Sequence, residues 1–88
     1  MSGSYIDLSH AIADAERYYK KNDRILAAET LQLTLFEIKQ LHPDNACFRT
    51  LSSKIEALIK DIDTGVNSLI IIGMQFNSIF ETLGEEVK

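Results

Sequence analysis

Apolar residues in the first part of the chain recur at helical spacing, in a segment that ends at a short polar turn. They stand three or four positions apart, at Leu8, Ile12, Ala15 and Tyr19. This spacing places side chains on one face of an α-helix, so it predicts a helix over residues 5–21. Asn22 tolerates a left-handed backbone and Asp23 can cap a following helix, which together predict a tight turn. The alternative is one helix that continues through Asn22.

Residues 24–41 are predicted to form a second helix with a wide apolar face. One apolar stripe has further apolar residues beside it: Ala28, Leu31, Leu35 and Ile38 on the stripe, then Leu26, Leu33 and Phe36. The alternation over residues 31–35 is typical of a strand, which is the alternative, but an Ala-rich segment without glycine favours helix. The helix should end before Pro43, because proline disfavours the helical conformation of the residue before it. Asp44 or Asn45 can cap the next helix.

The most regular pattern covers residues 45–83. Positions there alternate spacings of three and four, as in a coiled-coil seam, and all are apolar side chains except the glycine: Phe48, Leu51, Ile55, Leu58, Ile62, Gly65, Leu69, Ile72, Phe76, Ile79 and Leu83. Because the phase is kept across Gly65, the pattern predicts one long helix with a bend, about 60 Å in length. We expect its seam residues Leu51, Ile55, Leu58 and Ile62 to pack against the first two helices. The predicted fold class is all-α, either a three-helix bundle or an extended helical hairpin with a long C-terminal helix, and residues 1–88 form a single domain.

Further apolar residues lie off this seam, mostly in the last third of the chain. A helix that is apolar around its circumference is either fully buried or covered by a partner. Full burial is hard to arrange in 88 residues with three helices, so the segment 69–76 predicts contact with another chain. The predicted partner-binding residues are Val66, Ile70, Ile71, Met74 and Phe80, together with Tyr18 of the first helix. The alternative is that the segment belongs to the internal core.

Charge and hydropathy exclude two classes of partner. The chain has 9 basic and 13 acidic residues and a net charge of -4, so phosphate groups repel it and we expect no nucleic-acid or anionic-membrane partner. The most apolar run, 69–74, is far shorter than the roughly 20 residues that a membrane-spanning helix needs. No Sec-type signal peptide is legible in residues 1–7. We expect a soluble protein that is cytoplasmic, or exported without a Sec signal peptide.

Candidate chemistry is sparse. The chain has one cysteine, Cys47, so it offers no intrachain disulfide and no multi-cysteine metal site. His42 and Cys47 could form a thiolate pair across the predicted turn, but no oxyanion-hole motif accompanies them. Asp61 and Asp63 are two residues apart and therefore do not face each other on a helix. We expect no enzymatic activity, no catalytic residue, no metal site and no cofactor.

Three stretches, residues 15–23, 27–31 and 41–45, combine small residues at helix contacts with a proline after the second helix. Over residues 8–45 they resemble a tetratricopeptide-like helical hairpin, and the long second helix is also similar to the three-helix MIT domains. The resemblance implies binding of peptides or helices of other proteins. It makes packing positions, and not ligand contacts, of Tyr19, Ala27, Ala28 and Leu31.

A competing resemblance comes from the chain length, the turn at residues 43–45 and the hydrophobic C-terminal segment. These are similar to the needle subunits of type III secretion, whose two helices polymerise. The size and residues 72–76 are similar to the WXG-type hairpins of type VII secretion. All of these families imply a chain that packs its helices against other helices.

The sequence therefore predicts a small helical protein–protein interaction module, an adaptor or chaperone subunit that shelters a partner helix. The alternative is a self-assembling structural subunit of a secretion-type assembly. In the first case the partner is another protein, and in the second it is copies of the chain itself.

Overall fold

The computed structural model describes the backbone of residues 3–41, 46–65 and 68–87, and the side chains of residues 8–40, 48–65 and 68–84. Within these ranges the chain forms four α-helices and no strand: α1 (Gly3–Lys20), α2 (Arg24–Leu41), α3 (Ala46–Asp63) and α4 (Leu69–Val87). The all-α class is confirmed, and α2 begins and ends at the predicted residues. The strand alternative for residues 31–35 is wrong. The turn at 42–45, with its predicted caps, lies outside the described residues.

The turn between α1 and α2 is the predicted one. Asn22 adopts a left-handed conformation with φ of 66°. The amide of Asp23 donates to the carbonyl of Tyr18 at 2.9 Å, and the amide of Asn22 donates to the carbonyl of Tyr19 at 3.0 Å. This pair of hydrogen bonds is the Schellman pattern of helix termination. The Asp23 carboxylate then accepts a hydrogen bond from the Leu26 amide at 3.1 Å and caps α2. The continuous-helix alternative is therefore wrong.

The predicted long C-terminal helix is wrong, because α3 ends at Asp63 and α4 begins at Leu69. Gly65 has φ of 87°, and its amide donates to the carbonyl of Ile62 at 3.2 Å, so it closes α3 as a left-handed glycine. Ser68 starts α4, since its hydroxyl oxygen accepts a hydrogen bond from the Ile71 amide at 3.3 Å. The longest extent of the molecule is 34 Å, too short for the predicted rod.

The four helices form a bundle in which each helix has two neighbours. Contacts join α1 to α2, α2 to α3, α3 to α4 and α4 back to α1, while the pairs α1/α3 and α2/α4 lie on the diagonals. Helices α3 and α4 are antiparallel: Lys54 Nζ donates to Thr82 Oγ1 at 2.5 Å, and further along α3 the Asp61 carboxylate accepts from Gln75 Nε2 at 2.8 Å. This arrangement replaces the predicted three-helix bundle or hairpin.

The core runs along the bundle axis and receives apolar side chains from all four helices. The helical positions predicted to be buried in α1 are buried, and so are the four packing positions that the tetratricopeptide-like resemblance implied. The seam residues of α3 and α4 are buried as well, except Leu69. The seam residues of α3 and those of α4 face each other across a helical hairpin instead of lying along one rod. The neighbours of α3 are α2 and α4, and α1 lies diagonally opposite, so of the first two helices only α2 is adjacent to the seam of α3. The buried seam residues are Phe48, Leu51, Ile55, Leu58, Ile62, Ile72, Phe76, Ile79 and Leu83.

Candidate protein-binding surfaces

The first two turns of α4 carry a group of exposed apolar side chains, which we call the α4 patch. It consists of Leu69, Ile70, Ile71 and Met74, each between 50% and 77% exposed. The other side of the same helix is buried through residues spaced three and four apart, so the exposed group is not the core-facing stripe. Three of the six predicted partner-binding residues, Ile70, Ile71 and Met74, therefore lie together on an accessible surface.

The local sequence of α4 does not favour apolar residues at these positions for helix formation. Acidic side chains stabilise the first turn of a helix because they complement the positive end of its dipole. The first turn of α4 contains no acidic residue. Behind the Ser68 cap, a glutamate at position 71 would also complete a capping box, yet isoleucine stands there. The patch thus occupies positions where polar residues would serve the fold of the monomer at least as well.

The remaining predicted partner-binding residues are placed differently. Tyr18 on α1 and Phe80 on α4 are half-buried and pack against the core. Val66 lies outside the described residues. Since α1 and α4 are neighbours in an alternating antiparallel bundle, Tyr18 in the last turn of α1 lies at the same end of the bundle as the α4 patch.

Polar residues border the patch on α4. Asn77 and Glu81 are exposed. Gln75 is half-buried and bonded to Asp61, and its Oε1 is buried without a hydrogen-bond partner among the described residues. Helix α4 contains no lysine or arginine, and the basic side chains at the same end of the bundle, Arg17 and Lys20, belong to the last turn of α1.

A second exposed apolar surface lies on the outer face of α2, at residues that were not predicted to bind a partner. This α2 stripe consists of Ile25, Leu26, Leu33 and Phe36, between 37% and 76% exposed. The buried face of α2 is formed on the opposite side by Ala27, Ala28, Leu31, Thr34 and Ile38. The expectation of one wide apolar face is wrong, because the helix has two separate apolar faces.

The outer faces of α1 and α3 differ from those of α2 and α4. Their exposed side chains are largely charged or polar, among them His10, Arg17 and Lys20 on α1, and Arg49, Ser53, Glu56, Lys60 and Asp63 on α3. An ion pair between Arg17 and Asp14 lies on the surface of α1. Exposed apolar surface is therefore concentrated on the two helices of one diagonal.

The candidate metal-binding and paired-carboxylate residues do not come together in the described part of the chain. No group of three or more His, Cys, Asp or Glu side chains in the described ranges is placed to hold a metal ion. The considered pair of His42 and Cys47 lies outside the described side chains. Asp61 is engaged by Gln75 on α4, while Asp63 is exposed. None of the helices, over its described residues, has the length and apolar character needed to cross a bilayer.

Comparisons of the chain with protein-family models, with curated proteins and with solved structures found no match.

Proposed function

We propose that the chain is a protein–protein interaction module of the adaptor or chaperone type, which binds a helix of another protein through the α4 patch. The observation that supports this proposal is the exposure of Leu69, Ile70, Ile71 and Met74 on the first two turns of α4. A contiguous exposed apolar group bordered by polar residues is typical of a protein-binding surface. A helix laid along it would cover side chains at helical spacing.

The strength of such an interaction follows from the exposed fractions. Full burial of an apolar side chain of this size contributes roughly 1.5 to 3 kcal/mol. Between half and three-quarters of each patch side chain is exposed, so the four together would contribute about 4 to 8 kcal/mol. Association itself costs at least about 4 kcal/mol. The patch alone therefore supports weak binding, and neighbouring contacts must add to it.

The test is the double variant Ile70→Glu, Met74→Glu in the full chain. Two charges at the centre of the contact should reduce association with a co-purifying partner from the native cell by at least tenfold, which is about 1.4 kcal/mol. Thermal unfolding should be little changed, because both side chains are largely exposed. A glutamate at position 70 also lies in the first turn of α4, where a negative charge complements the positive end of the helix dipole. Thr50→Glu with Ser53→Glu is the matched control, since it adds the same charge at exposed polar positions of α3, away from the patch.

Unfolding of the double variant would contradict the proposal, because it would show that Ile70 and Met74 support the fold. Retained association with an unchanged melt would contradict it as well, because the partner would then bind elsewhere.

The second candidate function is a self-assembling structural subunit. It is favoured by one observation: the α2 stripe and the α4 patch lie on diagonal helices, so they face opposite sides of the bundle. A contact between the stripe of one copy and the patch of another would be head-to-tail and would generate an open filament or a ring. Sedimentation of the purified chain over a range of concentrations separates the two functions. Growing polymers favour the subunit, and a small stable species that acquires a heterologous partner favours the adaptor.

A further inference from the structure

The α2 stripe is a second surface, physically separate from the α4 patch. Helices α2 and α4 lie diagonally opposite each other, with no pair of Cα atoms within 8 Å over their described residues, and their outer faces point in opposite directions. From Ile25 to Phe36 the stripe follows α2 for about 16 Å, or three helical turns. An elongated apolar stripe of this length matches the side of another helix.

The charges on this face are acidic. Glu29 lies within the stripe, between Ile25 and Leu33 along the helix, and Glu37 borders it; both are exposed. Neither glutamate forms an ion pair with the described part of the chain. Lys39, the basic residue nearest the C-terminal end of the stripe, is directed to Glu56 of α3 at 3.5 Å.

Other basic residues lie away from the middle of the stripe. Arg24 is half-buried and, at 100° per residue, lies on the opposite side of α2 from the stripe. Lys20 and Lys21 precede α2, at the N-terminal end of the stripe. The middle and the C-terminal end of the stripe therefore present unpaired acid beside apolar side chains.

We infer that the α2 stripe binds an amphipathic helix of another protein whose apolar face is flanked by lysine or arginine. The apolar side chains of the partner cover Ile25, Leu33 and Phe36, and its basic residues lie opposite Glu29 and Glu37. Complementary charge at the edge of an apolar contact selects the partner and its register.

A second copy of the chain fits this surface poorly. Two copies packed α2 against α2 about a two-fold axis place the two Glu29 side chains near each other, because Glu29 lies within two residues of the midpoint of the stripe. Like charges placed together in this way oppose association. The α4 patch of a second copy has no basic residue on its own helix, and the basic side chains at that end of the bundle, Arg17 and Lys20, lie on the neighbouring helix α1. Neither contact places a basic residue on the helix that would lie along the stripe.

The experiment uses the full isotope-labelled chain and two synthetic helical peptides, each about five turns long, with the same leucine stripe. One peptide has lysines beside the stripe and the other has glutamates. We expect the lysine peptide to shift backbone amide resonances of α2, and the glutamate peptide to bind at least tenfold more weakly. Binding of the lysine peptide should weaken as salt is raised.

Variants then assign the contacts. Leu33→Ser with Phe36→Ser should lower the affinity of the chain for the lysine peptide by more than tenfold. Glu29→Gln with Glu37→Gln should weaken binding of the lysine peptide about five- to tenfold, as expected for exposed charge pairs. The same variant should leave unchanged the binding of a third, neutral peptide that has glutamines beside the same leucine stripe. Ile70→Ser with Met74→Ser is the matched control on α4 and should leave the affinity unchanged, so the result for the α2 stripe does not depend on the function proposed for the α4 patch. All variants change exposed residues, and thermal melts check that they fold.

The inference is overturned if the two charged peptides bind equally, if neither binds, or if the shifts fall on α4. It is also overturned if the chain self-associates in sedimentation and Leu33→Ser with Phe36→Ser abolishes that association, because the stripe would then bind a second copy. A photo-crosslinker at Gln40 in the native cell adds an independent readout. The captured segment should be amphipathic with basic flanks, and a segment of the chain itself or one with acidic flanks contradicts the inference.

Discussion

The break between α3 and α4 can be tested by placing alanine at two glycines of the same segment. Gly65 closes α3 with φ of 87°, whereas Gly73 lies within α4. A Cβ atom added at either position meets no atom within 4 Å. Steric clash is thus absent from both variants, and the difference between them comes from backbone conformation alone.

The two substitutions should have opposite signs. A left-handed conformation costs an alanine roughly 1 to 2 kcal/mol, and the reduced freedom of the unfolded chain returns about 0.4 to 1 kcal/mol. Gly65→Ala should therefore lower the free energy of unfolding by about 0.8 kcal/mol, and by no more than about 1.6 kcal/mol. Gly73→Ala replaces a helical glycine and should raise it by about 0.5 to 1 kcal/mol.

Urea denaturation followed by far-UV circular dichroism measures both changes, and thermal melts should show shifts of about 4 to 8 °C for each kcal/mol in a domain of this size. If α3 and α4 were one continuous helix, Gly65 would be a helical glycine as well, and both variants would be stabilised by similar amounts. An increase in stability for Gly65→Ala would therefore refute the four-helix description.

Two further predictions concern the core and the first turn. Leu58→Ala, at a fully buried position, should lower the free energy of unfolding by about 2 to 5 kcal/mol, whereas Leu33→Ala on the exposed α2 stripe should change it by less than about 1 kcal/mol; similar urea midpoints for the two would contradict this assignment of core and surface. Asp23→Ala removes the cap that the Leu26 amide uses and should cost about 0.5 to 2 kcal/mol, while Asp63→Ala, an exposed position at the end of α3, is the control expected to change little.

The first half of the fold could be predicted because its signals are local. Asn22 in the left-handed conformation and Asp23 as a cap act within a few residues of their partners, so residue identity alone indicated the turn. The buried stripe of α1 likewise followed from spacing.

The second half shows what periodicity leaves open. A spacing of three and four residues indicates which face is buried, and it does so equally for one long helix and for two helices that fold back on each other. The spacing therefore predicted the buried positions correctly, but the prediction of one continuous helix was wrong. The available signal was a glycine followed three residues later by a serine, because Gly65 suits a helix end and Ser68 suits a helix start.

The α2 stripe was missed because apolar positions two residues apart were taken to lie side by side. Residues two apart on a helix are separated by about 200°, so Leu31 and Leu33 lie on opposite faces, as do Phe36 and Ile38. The positions of Leu31 and Leu33 alone indicate that α2 has two separate apolar faces, of which only one can be buried. Which face is buried depends on the packing of the other helices, and the sequence of α2 does not contain that information.

The position of the two exposed surfaces connects the fold to the proposed function. Exposed isoleucine and leucine on α2 and α4 contribute little to the monomer, whose core is formed by the opposite faces of the same helices. Substitutions on these surfaces should therefore alter association without altering stability, and core substitutions should alter both. The two surfaces also lie on opposite sides of a bundle whose shorter extents are 18 Å. A helix bound to the α2 stripe would not displace one bound to the α4 patch, so the same chain has the geometry to hold two helices at once, on either side of its own core.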